Sequence, residues 1–478
     1  MTLDYQGFLQ RKSQLGDNSG FAPPFLPDYL FDFQRALVEW AMRKGRAALY
    51  EDCGMGKTIQ ELVWAQNIVE KHNRPVLIIT PLAVSYQTVN EGEKFGVECR
   101  RSGDGTVKSK IVTTNYERLH YFNPDDFIGA VCDESGILKH FGGVTQKYVT
   151  RFMSKIPYRL LGTATPAPND YPELGTSSEA LGALGYSDML SRFFVQDDGK
   201  RYRMNEVKLA RQARRGQHFA RLAYRVSQQM SGWHLKAHAE IPFWRWVCSW
   251  ARACRKPSDL GFPDGGFILP RLIERNHVIT PRNAPDGMLF TVPAFGLKEE
   301  RDERRRTLEE RCSLVAGLVD HDDLALICCD LNVEGDMLEK VISGAVQVKG
   351  SDSDDFKEEA LLAFAAGKIP RLVSKAKIMG FGMNFQRCAH VVTFASHSFE
   401  RYYQLIRRCW RFGQRREVVA DIISTEGEQH VRDNMLRKSE AAAKMFENLV
   451  IYMNEATQVD KAEYDQTVEV PRWLSQNR

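Results

Sequence analysis

The chain contains no apolar run approaching the roughly 18 residues needed to cross a bilayer. The first residues, Met1-Thr2-Leu3-Asp4-Tyr5-Gln6, lack a basic segment followed by an apolar one, so a secretory leader is not expected. No two of the ten cysteines are spaced Cys-x-x-Cys, which argues against a zinc ribbon. Cys132, Cys328 and Cys329 sit inside apolar runs and read as buried, reduced thiols. No low-complexity tract and no internal repeat stands out. These absences fit a cytoplasmic protein with neither membrane nor zinc among its partners. At 43% hydrophobic and 26% charged, the chain is not disordered, and 478 residues leave room for two to four domains.

Net charge is only +4, but it is unevenly spread. Residues 199–236 carry ten Lys or Arg against Glu206 alone, a local +9 that leaves the remainder at −5. That stretch reads as helical and basic.

Short β-rich runs alternate with helical patterns twice. Val76–Thr80, Lys110–Thr113, Ile128–Cys132 and Tyr158–Leu161 form one series. Leu324–Cys329, Arg371–Ser374, Val391–Phe394 and Val418–Ile423 form another. Continuous apolar strands between helices predict parallel sheets covered on both faces. The expected layout is an N-terminal extension (1–24), a first α/β domain (25–170), a helical basic insertion and linker (171–297), a second α/β domain (298–450) and a tail (451–478). Trp244, Trp246 and Trp250 read as core.

Three constellations carry chemistry. Glu51-Asp52-Cys53-Gly54-Met55-Gly56-Lys57-Thr58 lies between an apolar run and a helical pattern. A strand, a tight glycine loop and a helix start make a phosphate cradle. Lys57 would reach the β- and γ-phosphates and Thr58 would hold Mg²⁺, although Glu51 stands where the pattern wants glycine. Asp133-Glu134 closes a strand downstream of that loop. Asp133 would hold Mg²⁺ through water, and Glu134 would orient and deprotonate the attacking water. Arg408 and Arg411 lie three residues apart on one helix face, within Gln404-x-x-x-Arg408-x-x-Arg411-x-Gly413-Gln414. Guanidinium forks suit a transferring phosphoryl group, and by pattern alone they suit a nucleic-acid backbone equally well.

Taken in order, these segments resemble superfamily-two helicases of the Swi/Snf type. The resemblance also rests on Gln34, Thr80-Pro81-Leu82, Thr114-Asn115-Tyr116-Glu117, Gly162–Pro166 and Lys377–Gln386. The acid at position 51 and the ending Arg411-Phe412-Gly413-Gln414 are habits of that branch, and the chain also resembles its phage and prophage DEAD/DEAH-box helicase proteins. The resemblance implies two RecA-like parallel-sheet domains in tandem, with ATP in the cleft between them. Gln34 would read adenine with Phe31 or Phe33 near the base, and Gly54, Gly56, Lys57 and Thr58 would cradle the phosphates. Gly382, Asn384 and Gln404 would approach the ribose or γ-phosphate side, and Arg408 and Arg411 would be arginine fingers. Thr80, Pro81, Thr114 and Asn115 would face the nucleic-acid backbone. Arg407 departs from the pattern, which usually has glycine there.

The implied function is an ATP- and Mg²⁺-dependent motor on duplex DNA with little sequence specificity, working with a phage or host DNA-processing protein. A single-strand DNA or RNA helicase, and a binding protein with a decayed ATP site, are the rival readings. The basic segment 199–236 reads as a grip on phosphates or as a strand separator with Trp233 or Tyr202 as a stacking wedge, against the plainer readings of a solvated helical face or a partner-protein dock. Replacing Arg211, Arg214, Arg215 and Arg221 with Ala should flatten the log–log dependence of DNA affinity on salt. An unchanged slope would remove the segment from the DNA contact.

Overall fold

Among the described residues fifteen strands, most of them short, apolar and buried on both faces, fall into two parallel sheets and one antiparallel pair. The computed structural model describes residues 18–82, 84–139, 141–196, 233–281, 297–379 and 384–464. Most of the basic segment, with Arg211, Arg214, Arg215 and Arg221, lies outside the described residues, as does Gly382.

The first sheet contains β1 (Arg46–Glu51), β2 (Val76–Thr80), β3 (Arg100–Arg101), β4 (Ile111–Asn115), β5 (Gly129–Asp133), β6 (Tyr158–Thr163) and β9 (Ala251–Cys254). Its spatial order is β3-β4-β2-β5-β6-β1-β9. Between β6 and β9 the chain makes an antiparallel pair, β7 (Phe194–Gln196) with β8 (Trp233–Leu235). The second sheet contains β10 (Leu272–Ile279), β11 (Ala325–Cys329), β12 (Ala345–Val348), β13 (Arg371–Lys375), β14 (His390–Phe394) and β15 (Val418–Thr425). Its order is β10-β15-β14-β11-β13-β12. This is the α/β class expected from the strand runs: two parallel-sheet domains in tandem. Each sheet is covered by apolar clusters on both faces. All ten cysteines are free, and nine are buried.

Seven helices position the cleft or tie the sheets: α1 (Asp32–Lys44), α2 (Lys57–His72), α3 (Glu240–Cys248), α4 (Leu308–Leu318), α5 (Asn332–Val341), α6 (Phe399–Cys409) and α7 (Gln429–Tyr464). Among the described residues no helix is long and apolar enough to cross a membrane.

The expected boundaries need correction. The stretch 171–297 is not one insertion. Its strand β9 pairs with β1 and completes the first sheet, while β10 pairs with β15 along all eight of its residues and edges the second. The reason is burial. Trp244, Trp246 and Trp250 are at most 2% exposed, and they carry α3 and β9 onto the first core. The last helix also crosses the expected boundary at 450. It leaves β15 and returns Met445, Phe446, Leu449 and Met453 to the first domain's core. The second domain is thus strapped to the first by its own C-terminal helix.

In the second domain, Arg311 of α4 is fully buried and pairs with Glu334 of α5 at 2.8 Å. Its guanidinium lies over Phe394 and donates to Thr307 Oγ1 (3.2 Å) and the Arg304 carbonyl (2.6 Å). Glu334 also accepts from the backbone N–H groups of Asp330 and Leu331, both at 2.9 Å, and so caps α5. Removing the cation strands a buried carboxylate. Arg311→Ala should cost about 3–5 kcal/mol in chemical denaturation, and Arg311 and Glu334 replaced together by apolar residues should cost much less. A loss under about 1 kcal/mol in the single variant would contradict this pairing.

Candidate nucleotide cleft

The chemistry-bearing segments all follow carboxyl ends of parallel strands. The glycine loop follows β1, Asp133-Glu134 ends β5, and Thr163-Ala164-Thr165 follows β6. In open parallel sheets the crevice beyond these ends is where ligands bind. Two glycines shape the loop, Gly54 at φ 91° and Gly56 at φ 83°. A Cβ on Gly56 would stand 2.4 Å from Gln34 Nε2. One on Gly54 would stand 3.0 Å from the Phe412 nitrogen and 3.4 Å from Arg411 Cβ, so the second domain touches the loop directly. Only glycine satisfies both the left-handed backbone and the close approach.

Gln34 is buried and braces the loop. Its Nε2 donates to the Met55 carbonyl (2.8 Å), and its Oε1 accepts from the Phe31 N–H (3.1 Å). Phe31 is half exposed and belongs to an aromatic group that sequence reasoning missed. Phe267 lies 5.1 Å from Phe31, 5.1 Å from Phe33 and 4.6 Å from Phe412, ring centre to ring centre. Residues from α1, the connection before β10 and the end of α6 thus meet beside the loop.

Lys57 Nζ donates to the carbonyls of Glu51 (2.9 Å) and Asp52 (3.4 Å). Burial pushes its ammonium down. Cys53, Glu134, Glu51 and Asp133 around it outweigh burial and hold it above its ordinary value. Glu51 is fully buried and accepts from Gln60 Nε2 at 2.7 Å. Burial pushes its carboxyl up to about 7, against the pull of Lys57 and Gln60. Glu61 of α2, which sequence reasoning passed over, is buried with neither carboxylate oxygen hydrogen-bonded. Burial and the neighbouring Asp133 raise it well above the carboxylate range, and Asp133 is raised by burial and by Glu134.

Glu134 has a left-handed backbone, φ 52°, which costs a non-glycine residue about 1–3 kcal/mol. The turn is held by Asp133 Oδ1, which accepts the Glu134 N–H at 2.8 Å, and by the Tyr116 hydroxyl, which donates to the Asp133 carbonyl. Thr163 Oγ1 reaches Glu134 Oε2 at 3.5 Å. Thr58 is half-buried at the start of α2. Four carboxylates, Glu51, Glu61, Asp133 and Glu134, surround the single Lys57 ammonium. The Thr58 hydroxyl and the Asp133 carboxyl offer hard oxygen donors of the kind that suits Mg²⁺.

From the other domain, α6 brings Gln404, Arg408 and, just beyond its end, Arg411. Burial pushes the Arg408 and Arg411 guanidiniums down, while the field of Cys53 acts on both in the opposite sense. Arg411 donates to Asn384 Oδ1, so these two expected residues are joined. The backbone-facing set is different. Thr80, Thr114 and Asn115 are buried, contrary to expectation. Thr80 Oγ1 donates to the Pro81 carbonyl (3.0 Å), and Asn115 Oδ1 accepts from the Arg118 N–H (3.1 Å). They end the interior strands β2 and β4, whose neighbours cover them, and Leu82, Tyr86 and Arg101 form the surface there.

Beside α6 opens a cleft of about 520 Å³ shared by both domains. Lys139, Arg301, Arg304, Arg401 and Lys438 line it, against Asp330 and Glu400.

No family model matches the chain. Over 177 residues, 31% of its length, it is 28% identical to the SWI/SNF chromatin-remodeling complex subunit snf22 of Schizosaccharomyces pombe. The chain spans 10% of that protein's length. Among solved structures it is similar to the Sulfolobus solfataricus SWI2/SNF2 ATPase core in complex with dsDNA. That similarity has a TM-score of 0.38 and 16% identity, and covers 92% of this chain and 97% of that one.

The Glu51 environment has a pH signature. Between its ordinary 4.5 and about 7, the unfolded chain ionises this carboxyl while the folded one does not, so its contribution to stability falls as pH rises. Glu51→Gln removes that penalty. The variant should gain up to about 3 kcal/mol over the wild type at pH 8 and little at pH 5. Equal shifts in melting temperature at both pH values would contradict the assignment.

Proposed function

We propose that the chain is a nucleic-acid-dependent ATPase, a double-stranded DNA translocase of the Swi/Snf-like branch of superfamily two. The observation that carries this reading is the meeting of two half-sites. Lys57, Asp133 and Glu134 belong to the first sheet's strand ends, and Arg408 and Arg411 arrive from the second domain at the same loop. The identity to snf22 over 177 residues supports the branch.

In this reading Lys57 and the loop N–H groups hold the β- and γ-phosphates. Gln34, Phe31 and the neighbouring phenyl rings flank the adenine. Bound Mg²⁺ supplies neutralising charge at the phosphates, held by Thr58 and Asp133. Glu134 orients the attacking water and takes its proton, its strained backbone aiming the carboxylate into the cleft. Arg408 and Arg411 meet the charge developing on the γ-phosphoryl group, and Gln404 and Asn384 hold the γ-phosphate side. Closure and reopening of the two domains would step the protein along a duplex. The cation-lined cleft supports a polyanion partner. Duplex is favoured over single strands by the ending Arg411-Phe412-Gly413-Gln414 and by the snf22 likeness. The resemblance to phage and prophage helicases points to a DNA-processing partner that supplies the specificity such a motor lacks.

Lys57→Ala should abolish turnover. Glu134→Gln should retain ATP binding and hydrolyse about 10²–10⁴-fold more slowly. Turnover measured across duplex, forked and single-stranded DNA and RNA, followed by triplex displacement, tests the motor reading. Duplex stimulation with displacement is expected. Stimulation by RNA or single strands alone would replace it with an unwinding helicase, and normal turnover in Glu134→Gln would overturn the base assignment.

A further inference from the structure

Arg407, the residue that departs from the family pattern, occupies a defined place. It is 3% exposed and reaches across the cleft to Asp52, in the turn that leads into the glycine loop. Its Nε donates to Asp52 Oδ1 at 2.8 Å, and a second guanidinium nitrogen pairs with Oδ2. Its third nitrogen donates to the Trp410 carbonyl at 3.1 Å, and the guanidinium stacks 4.6 Å from the Trp410 ring centre. The Tyr403 hydroxyl donates to the same Asp52 oxygen, which also accepts the Cys53 N–H at 2.6 Å. One carboxylate thus joins the loop's own backbone to two side chains of the other domain. A second pair repeats the pattern at the other end of the helix, where Glu400 accepts from Lys139, five residues beyond Glu134.

Glu400, Tyr403 and Arg407 follow i, i+3, i+7 spacing and so share one face of α6. Gln404 and Arg408 fall on the adjacent face, and Arg411 follows just past the helix end. The apolar side, with Phe399, Tyr402, Leu405, Ile406 and Cys409, packs on the second core. The helix therefore carries a clamping stripe beside its chemical stripe, and whatever fixes the first fixes the reach of the second.

We infer that Arg407 is a positioning residue. Through Asp52 it locks α6 onto the glycine loop, and so sets Arg408 and Arg411 against the phosphates before any nucleic acid binds. This rests on the ATPase reading above. Glycine at this position would leave Asp52 with Tyr403 and Cys53 alone, and would free the helix to slide against the loop. A bidentate guanidinium–carboxylate pair removed from water is a geometric constraint as much as an attraction.

The test is a double-mutant cycle of Asp52→Asn and Arg407→Gln, with Arg407→Lys as the conservative variant. Steady-state turnover, fluorescent ADP affinity and melting temperature are read together. Each single variant should lower kcat about tenfold with less than a threefold change in ADP affinity. The double variant should be no slower than the worse single, because both remove one interaction. Arg407→Lys should fall between wild type and Arg407→Gln. Unchanged kcat, multiplicative losses in the double variant, or losses that only follow melting temperature would each overturn the role. Spin labels at Val144→Cys and Leu362→Cys, both exposed positions on different domains, report the clamp without turnover. Arg407→Gln should broaden their distance distribution in the absence of nucleotide, and an unaltered distribution overturns the clamp. Wild-type protein with no ATPase on any nucleic acid would sink the function reading while this distance measurement still judged the clamp.

Discussion

Buried charge must be paired, and in this protein the pairing crosses a cleft. The glycine loop carries Glu51, Asp52 and Lys57 in surroundings with little water. Lys57 faces more carboxylates than it can neutralise, and Asp52 finds its cation on the other domain. The loop is therefore incomplete without α6, and α6 gains its orientation from the loop. Desolvation makes each unpaired group costly, so burial itself binds the two halves of the candidate site together.

The rest of the fold serves that juxtaposition. Parallel sheets bring every chemical segment to carboxyl strand ends, where loops are free to vary while strands stay fixed. The two sheets are then held in register by side-chain pairs at both ends of α6 and by a 36-residue helix that returns from the second domain to the first core. The tryptophans of α3 give that helix its seat: Cys248 Sγ lies 3.6 Å from the Leu449 carbonyl. A connection of this length is compatible with the domains moving about the cleft while remaining one unit.

Much of this was legible in the sequence. Continuous apolar runs announced parallel strands, and the glycine loop, the acid pair and the arginines picked out by their spacing lie beside one another in the structure. The domain limits were less legible. β9 is four residues long, and β10 sets the polar block Glu274-Arg275-Asn276-His277 between two apolar pairs, so neither stands out from the loops around it. Asp52 and Arg407 were invisible as partners because they lie 355 residues apart. The i, i+3, i+7 stripe on α6 was a signal that could have been read. The burial of Thr80, Thr114 and Asn115 was not legible either, because a resemblance transfers positions, while burial is decided by the packing of each chain.

The central claim is that one catalytic site is completed across two domains by α6. The most direct measurement is duplex-stimulated ATP turnover of Arg408→Ala, alongside its nucleotide affinity. The account predicts wild-type affinity with turnover reduced about 10³-fold or more, as expected for a lost arginine finger. Wild-type turnover in that variant would contradict it.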